Sequence, residues 1–176
     1  MSFFTLNLLR ITRPEKNDFK FIGFDIDERK IAAARQSLGD GGYPAAEFRS
    51  GDITGSSCDF RDVKCVIMTD VLCYFNGAEK TRLLQKCFKE LDAGGMVIIK
   101  DINKGATLKF LWTFIQETIV IKVLRLSRYR GFYFGNRNEY LDILEKNGFI
   151  AEAFDLSKGY IYPHILYVGK KKDSFC

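Results

Sequence analysis

The chain is poor in the residues that build metal centres and disulfide frameworks. It holds one histidine, His164, and five cysteines at positions 58, 65, 73, 87 and 176, none of them in a CxxC pair. That pattern carries neither zinc-ligand spacing nor a disulfide framework. Cys65 and Cys87 fall instead on apolar faces of predicted elements, as small core residues of a protein in a reducing, cytoplasmic setting. Charge of one sign is nowhere concentrated. Against 27 basic residues stand 22 acidic ones, a net +5, and the longest block of like charge is Lys170–Lys172. Such a balance describes a solvated surface better than a nucleic-acid footprint. Long apolar runs are missing too. The stretch 108–124 is broken by Lys109, Gln116, Glu117 and Lys122, so no membrane span is predicted. The start, MSFFTLNLL, lacks a basic flank and is interrupted by Asn7 and Arg10, a poor signal peptide. Residues 1–18 contain no glycine at all.

What is present suits a soluble globular protein. With 176 residues, 47% of them hydrophobic and 28% charged, the chain is expected to form a single domain, 1–176, able to bury its own core. Residues 3–11 fit either a strand or a helical stripe. The connection Thr12 to Asp18 is too short for a parallel crossover, which takes about a dozen residues, so a helix ending before Pro14 is the better expectation. Phe19–Phe24 then reads as a strand, with Gly23 allowing close backbone approach. Asp25 and Asp27 follow at its carboxyl end, ahead of the helical run ERKIAAAR. In open α/β sheets ligands bind beyond the carboxyl ends of strands, and an acid there can accept two ribose hydroxyls. A plainer role is equally open at this point: Asp27 as helix cap and Asp25 as a solvated turn residue.

The same arrangement recurs down the chain. Ala46–Arg49 predicts a strand leading to Ser50-Gly51-Asp52-Ile53. Val63–Met68 is a near-continuous apolar run, as in a strand covered on both faces, ending in Thr69-Asp70. Residues 79–91 place Leu83, Leu84, Cys87, Phe88 and Leu91 on one helical face, stopped by Ala93-Gly94-Gly95. Met96–Lys100 forms the next strand, closing on Asp101. Residues 106–126, within an insert at 106–137, predict a long, nearly all-apolar helix that is either deeply buried or half of a substrate pocket. Asn136 and Glu139 have the spacing of a capping box for a helix at 138–147, terminated by Gly148. Phe149–Leu156 and Tyr160–Gly169 predict a hairpin turning at Ser157-Lys158-Gly159, with Pro163 marking a bulge or a missing ladder bond. The fold class expected is α/β: a doubly wound, mostly parallel sheet with helices on both faces and a C-terminal antiparallel hairpin.

The order of these motifs resembles the class I S-adenosylmethionine-dependent methyltransferases. FIGFDIDERKIAAAR is similar to the family's second motif, which implies that Asp25, with Ile26 beside it, holds the cofactor ribose. Gly51-Asp52-Ile53 resembles the acidic motif after the third strand, implying Asp52 at the adenine amino group and Ile53 on the ring. DVKCVIMTDVLCYF resembles the fourth-strand motif, placing Met68, Thr69 and Asp70 near the methionine end. LDAGGMVIIKD is similar to the segment that leads into the fifth strand. One motif of the family has no counterpart: the glycine-rich loop about 20 residues before the ribose acid. Counting back from Asp25 reaches the glycine-free start, so the first strand and its loop are expected to lie upstream of Met1.

The resemblance implies S-adenosylmethionine as cofactor and methyl transfer to a small-molecule acceptor as function. Positioning can supply much of the acceleration, with effective molarities of about 10⁵ M or more, and a general base is needed only for a protonated nucleophile. Asp70 and Tyr74 are the candidates near the methyl position, with segment cap and pocket wall as their plainer roles. His164, in the terminal strand, is expected to lie away from it. Tyr74 and Trp112 are the candidate substrate contacts, and the aromatic and arginine-rich insert suits a small molecule better than nucleic acid. The alternatives are a non-catalytic methyltransferase-like binding or assembly module, suggested by the missing loop, and a nicotinamide-dependent oxidoreductase. Asp52 and the closing hairpin disfavour the latter.

Overall fold

A computed structural model describes residues 21–38, 46–55, 58–61, 63–105, 111, 115, 133–158 and 162–172. The predicted helix at 3–11, the helix at 106–126 apart from Leu111 and Ile115, and Trp112 lie outside the described residues. The chain divides into two compact units, Met1–Asp59 and Phe60–Cys176.

In the first unit, β1 (Phe21–Asp25), α1 (Glu28–Leu38) and β2 (Ala46–Ser50) make a parallel β-α-β turn. The register pairs Phe21 with Ala46 and Asp25 with Ser50, so both strands end together. Ile31 and Ala34, one helical turn apart, bury against Phe48, with Phe21 and Ala46 packed around them. Gly23 lies against the Phe48 ring, and a Cβ there would meet that ring at 2.7 Å. Asp27 starts the helix: its Oδ1 accepts the Arg29 amide at 3.0 Å, and its carbonyl accepts the amides of Lys30 and Ile31.

The second unit holds β3 (Cys65–Thr69), a 3₁₀ turn (Leu72–Tyr74), α2 (Gly77–Glu90), β4 (Met96–Ile102), α3 (Arg137–Lys146), β5 (Ile150–Asp155) and β6 (His164–Lys170). Its sheet has the order β3-β4-β6-β5. β3 and β4 run parallel, whereas β6 inserts antiparallel between β4 and β5, giving the expected closing hairpin. Among the described residues the four strand pairings therefore divide evenly, two parallel and two antiparallel. Pro163 stands just before the ladder rather than inside it, its carbonyl accepting the Asn103 amide at 2.7 Å. A residue without an N–H is harmless there.

Both described helices of this unit begin with a full capping box. Asn136 and Glu139 do so for α3 as the sequence predicts, and Asn76 and Glu79 do so for α2. The α2 box moves that helix's start to Gly77, ahead of the expected residue 79. Leu83, Leu84 and Cys87 of α2, Leu144 of α3 and Val97, Ile99 and Tyr167 of the sheet form the buried core.

Gly148 ends α3 with φ +95°, and a Cβ there would meet the Phe88 ring at 2.7 Å. Gly148→Ala combines a left-handed backbone with a displaced aromatic ring, so it should destabilise the protein by more than about 1 kcal/mol. Thermal unfolding of the variant measures this, and an unchanged Tm would contradict it.

Candidate functional site

The carboxyl ends of β1 and β2 bring two of the predicted acids together. The Gly51 amide donates to the Asp25 carbonyl at 3.1 Å, joining the two strand ends. The Asp25 carboxylate is half-buried; its Oδ1 accepts the Asp27 amide at 2.8 Å and its Oδ2 lies 3.6 Å from Lys30 Nζ. Ile26 is half-buried in the turn to α1. Asp52 is exposed, and its Oδ1 accepts both the amide and the hydroxyl of Thr54, at 2.8 and 2.7 Å. That turn fixes the loop and leaves Ile53 half-buried beside it. Asp27 faces elsewhere. Its carboxylate is bidentate with Arg29, and the guanidinium holds its carboxyl down to about 2.

A second polar cluster lies at the carboxyl ends of β3 and β4 in the other unit. Thr69 is the last residue of β3, and its buried Oγ1 has no hydrogen-bond partner among the described residues. Asp70 follows with φ +53°, a left-handed conformation uncommon for any residue but glycine, though asparagine and aspartate tolerate it. Its amide donates to the Lys100 carbonyl at 2.9 Å, which pins the turn to β4. Its carboxylate meets Lys100 Nζ at 2.9 Å and His164 Nε2 at 3.5 Å. Burial alone would raise the Asp70 carboxyl, but the neighbouring His164 imidazole and Lys100 ammonium outweigh it and hold the group below its ordinary range.

Two expectations change here. Asp70 caps nothing: the 3₁₀ turn begins at Val71 without a side-chain cap. His164 does not lie away from Asp70, because the antiparallel direction of β6 sets its first residue opposite Ile102, the last of β4. Tyr74 packs against Cys73, Ile102 and Phe134 just beyond the cluster. The Tyr133 amide closes this corner by donating to the Cys73 carbonyl at 2.7 Å.

The opposite face of the same strand carries a group whose partners the sequence does not reveal. Asp101 is fully buried; its Oδ2 accepts the Tyr140 hydroxyl at 2.6 Å and its Oδ1 the Ile102 amide at 2.8 Å. Burial raises its carboxyl to about 6 despite those two hydrogen bonds. Tyr140 stacks on Tyr167, with ring centroids 4.9 Å apart, and Lys80 Nζ sits 4.7 Å above the Tyr140 ring. Lys80 also donates to the Tyr133 carbonyl at 2.5 Å, and burial lowers its own pKa. The only signal in the sequence is a strand-end acid; Tyr140 is 39 residues away.

A model of the methyltransferase domain matches residues 4–95, just over half of the chain. The chain belongs to that methyltransferase family. The matched stretch includes Asp25, Asp52, Thr69 and Asp70. No curated protein matches it in sequence. Solved structures share the fold. The S-adenosylmethionine-dependent methyltransferase SibL, in its apo form, is 16% identical with a TM-score of 0.71, over 96% of this chain and 48% of that one. Magnesium protoporphyrin IX methyltransferase from Synechocystis, with bound SAH, is 19% identical with a TM-score of 0.62, over 87% and 64%. An O-methyltransferase family 2 protein from Planctomyces limnophilus, in complex with apigenin, is 18% identical with a TM-score of 0.66, over 96% and 46%. The chain thus spans about half the length of SibL and of the Planctomyces protein. Among the described residues no helix is long and apolar enough to cross a membrane.

The buried acid makes a prediction about stability. Asp101 has a carboxyl raised from 3.8 to about 6 in the folded chain, so the folded state binds the extra proton between those values. Its contribution to stability is fully present below about pH 4 and is lost as pH rises through about 6. A shift of this size corresponds to about 3 kcal/mol. Urea unfolding from pH 4 to 7 should show that decline, and Asp101→Asn should flatten it. An Asp101→Asn profile parallel to the wild-type profile would refute the assignment.

Proposed function

We propose that the chain binds S-adenosylmethionine and carries out methyl transfer to a small-molecule acceptor. The observation that carries this reading is the pair of acids, Asp25 and Asp52, at adjoining carboxyl ends of a parallel β-α-β turn inside the segment that matches the methyltransferase domain. With the cofactor bound, the Asp25 carboxylate would accept the ribose hydroxyls at the end of β1. Asp52 accepts from the adenine amino group, with Ile26 and Ile53 as the apolar flanks. Thr69, with a buried hydroxyl lacking a partner among the described residues, suits the polar methionine end. Asp70 belongs to that end in the same reading. The residues present therefore fit the cofactor, which supplies an electrophilic methyl group on a sulfonium.

This reading includes the doubly wound sheet that the family resemblance implies. A small acceptor is supported by the Planctomyces relative, whose structure holds apigenin. It is supported also by the modest net charge of +5, which disfavours a polyanionic partner. Tyr74 and Trp112 are the proposed contacts to the acceptor.

Isothermal calorimetry with S-adenosylmethionine and with S-adenosylhomocysteine tests the proposal. Both should bind the full chain. Asp25→Ala should weaken each by about 10-fold or more, the loss of charge-assisted hydrogen bonds worth roughly 1.5–3 kcal/mol. No binding of either compound to the full chain would refute the methyltransferase reading and favour a binding or assembly module.

A further inference from the structure

We infer that His164, held by Asp70, is the general base of the transfer, and that the acceptor is accordingly a hydroxyl compound of the phenol class. The inference rests on the proposed function above. Three elements converge to build the pair. Asp70 leaves β3 in a left-handed turn, Lys100 stands opposite Thr69 on β4, and His164 opens β6 opposite Ile102. Residues two apart on a strand share a face, so Lys100 and Ile102 point the same way, and His164 follows its partner Ile102. All three charged or polar groups thus meet on one side of the sheet, at the carboxyl ends of its parallel strands, where this fold binds ligands.

The division of labour follows from the contacts. Lys100, with a side chain only 17% exposed, gives Asp70 a fixed positive neighbour at 2.9 Å. The carboxylate therefore stays ionised, and its Oδ1, which also accepts from Lys100 at 3.3 Å, lies 3.5 Å from His164 Nε2. An anion on Nε2 favours the tautomer with the proton on that nitrogen, which leaves the Nδ1 lone pair open. No described residue pairs with Nδ1. Tyr162, 39% exposed, lies beside the imidazole with ring centroids 5.7 Å apart, an aromatic wall for an aromatic acceptor.

The step balances within these groups. Nδ1 takes the acceptor's hydroxyl proton as the oxygen attacks the methyl carbon. The O–C bond forms, the C–S bond breaks with its electron pair going to sulfur, and the imidazolium returns its proton to solvent. Among aromatic acceptors, an aryl amine already carries a free lone pair at neutral pH and a thiol ionises at about 8.5, whereas a phenol keeps its proton to about 10, so a built base points to a hydroxyl. Asp70 and Lys100 are positioning residues in this scheme and touch the acceptor only through His164.

Two measurements on the full chain decide it. His164 is the one histidine of the sequence, so ¹⁵N-histidine labelling gives a single imidazole. Long-range ¹H–¹⁵N spectra should show Nε2–H with bare Nδ1 in the neutral ring, and Asp70→Asn should shift that tautomer balance. Nδ1–H in the wild type would overturn the inference without any turnover being measured. Methyl transfer from S-adenosylmethionine is then read on 4-methylphenol and 4-ethylphenol, whose hydroxyls stay protonated near neutral pH as that of tyrosine does, beside 4-methylaniline and 4-methylthiophenol. The phenols should react, and His164→Gln should lower kcat on them by about 100-fold or more, with KM changed less than about threefold. An undiminished phenol rate in His164→Gln, or transfer only to the amine or thiol, overturns the inference. So does no transfer to any acceptor by a chain that binds the cofactor in calorimetry. Absence of cofactor binding refutes the proposed function itself, which keeps the two failures apart.

Discussion

The antiparallel ladder between β4 and β6 is the constraint on which the chemistry of the larger unit depends. Seven residue pairs, from Met96 with Lys170 to Ile102 with His164, fix the direction and register of the last strand. Because β6 runs against β4, its first residue comes to the end of the sheet where β3 and β4 finish. A one-residue slip would turn every side chain of β6 to the other face. Tyr167 would then leave the core and His164 would leave Asp70. The same register therefore sets both the packing and the polar cluster.

β4 separates two kinds of polar group by its pleat alone. Lys100 points to the face shared with Asp70 and His164, whereas Asp101, the next residue, points to α3 and is wholly buried beneath Tyr140. The first group keeps contact with water, since the Asp70 side chain is 42% exposed and stays ionised with a cation beside it. The second loses water entirely, so its carboxyl rises toward the neutral form even with two hydrogen-bond donors. Adjacent residues in one strand thus acquire opposite electrostatic characters through burial.

In the smaller unit the arrangement is simpler. A parallel pair whose strands end in register delivers Asp25 and Asp52 to one edge, and Ile31, Ala34 and Phe48 hold the helix that makes the pairing possible. Local hydrogen bonds then distinguish the acids. Asp27 is committed to Arg29 and to the start of α1, while Asp25 faces the strand end. Asp52 is set by its turn with Thr54.

Much of this was legible from residues near one another in the chain. Apolar runs located the strands to within a residue or two, except that β6 begins at His164, four residues after the predicted Tyr160, and Asn136 with Glu139 announced the capping box of α3. Asn76 and Glu79 carry the same signature in α2, ahead of the apolar periodicity that begins at Leu83. The strand-end acids Asp25, Asp52 and Asp70, and the order of motifs that marks the methyltransferase family, are likewise local features. Strand propensity, helix capping and turn chemistry act over a few residues, so sequence by itself determines them. The pairing of Asp70 with His164, 94 positions apart, and of Asp101 with Tyr140 is different in kind. No local pattern encodes these contacts, because they exist only once β6 has entered the sheet antiparallel to β4 and α3 has settled over Asp101. Only the tertiary structure decided that the lone histidine stands beside Asp70, since strand direction and register are properties of the assembled sheet.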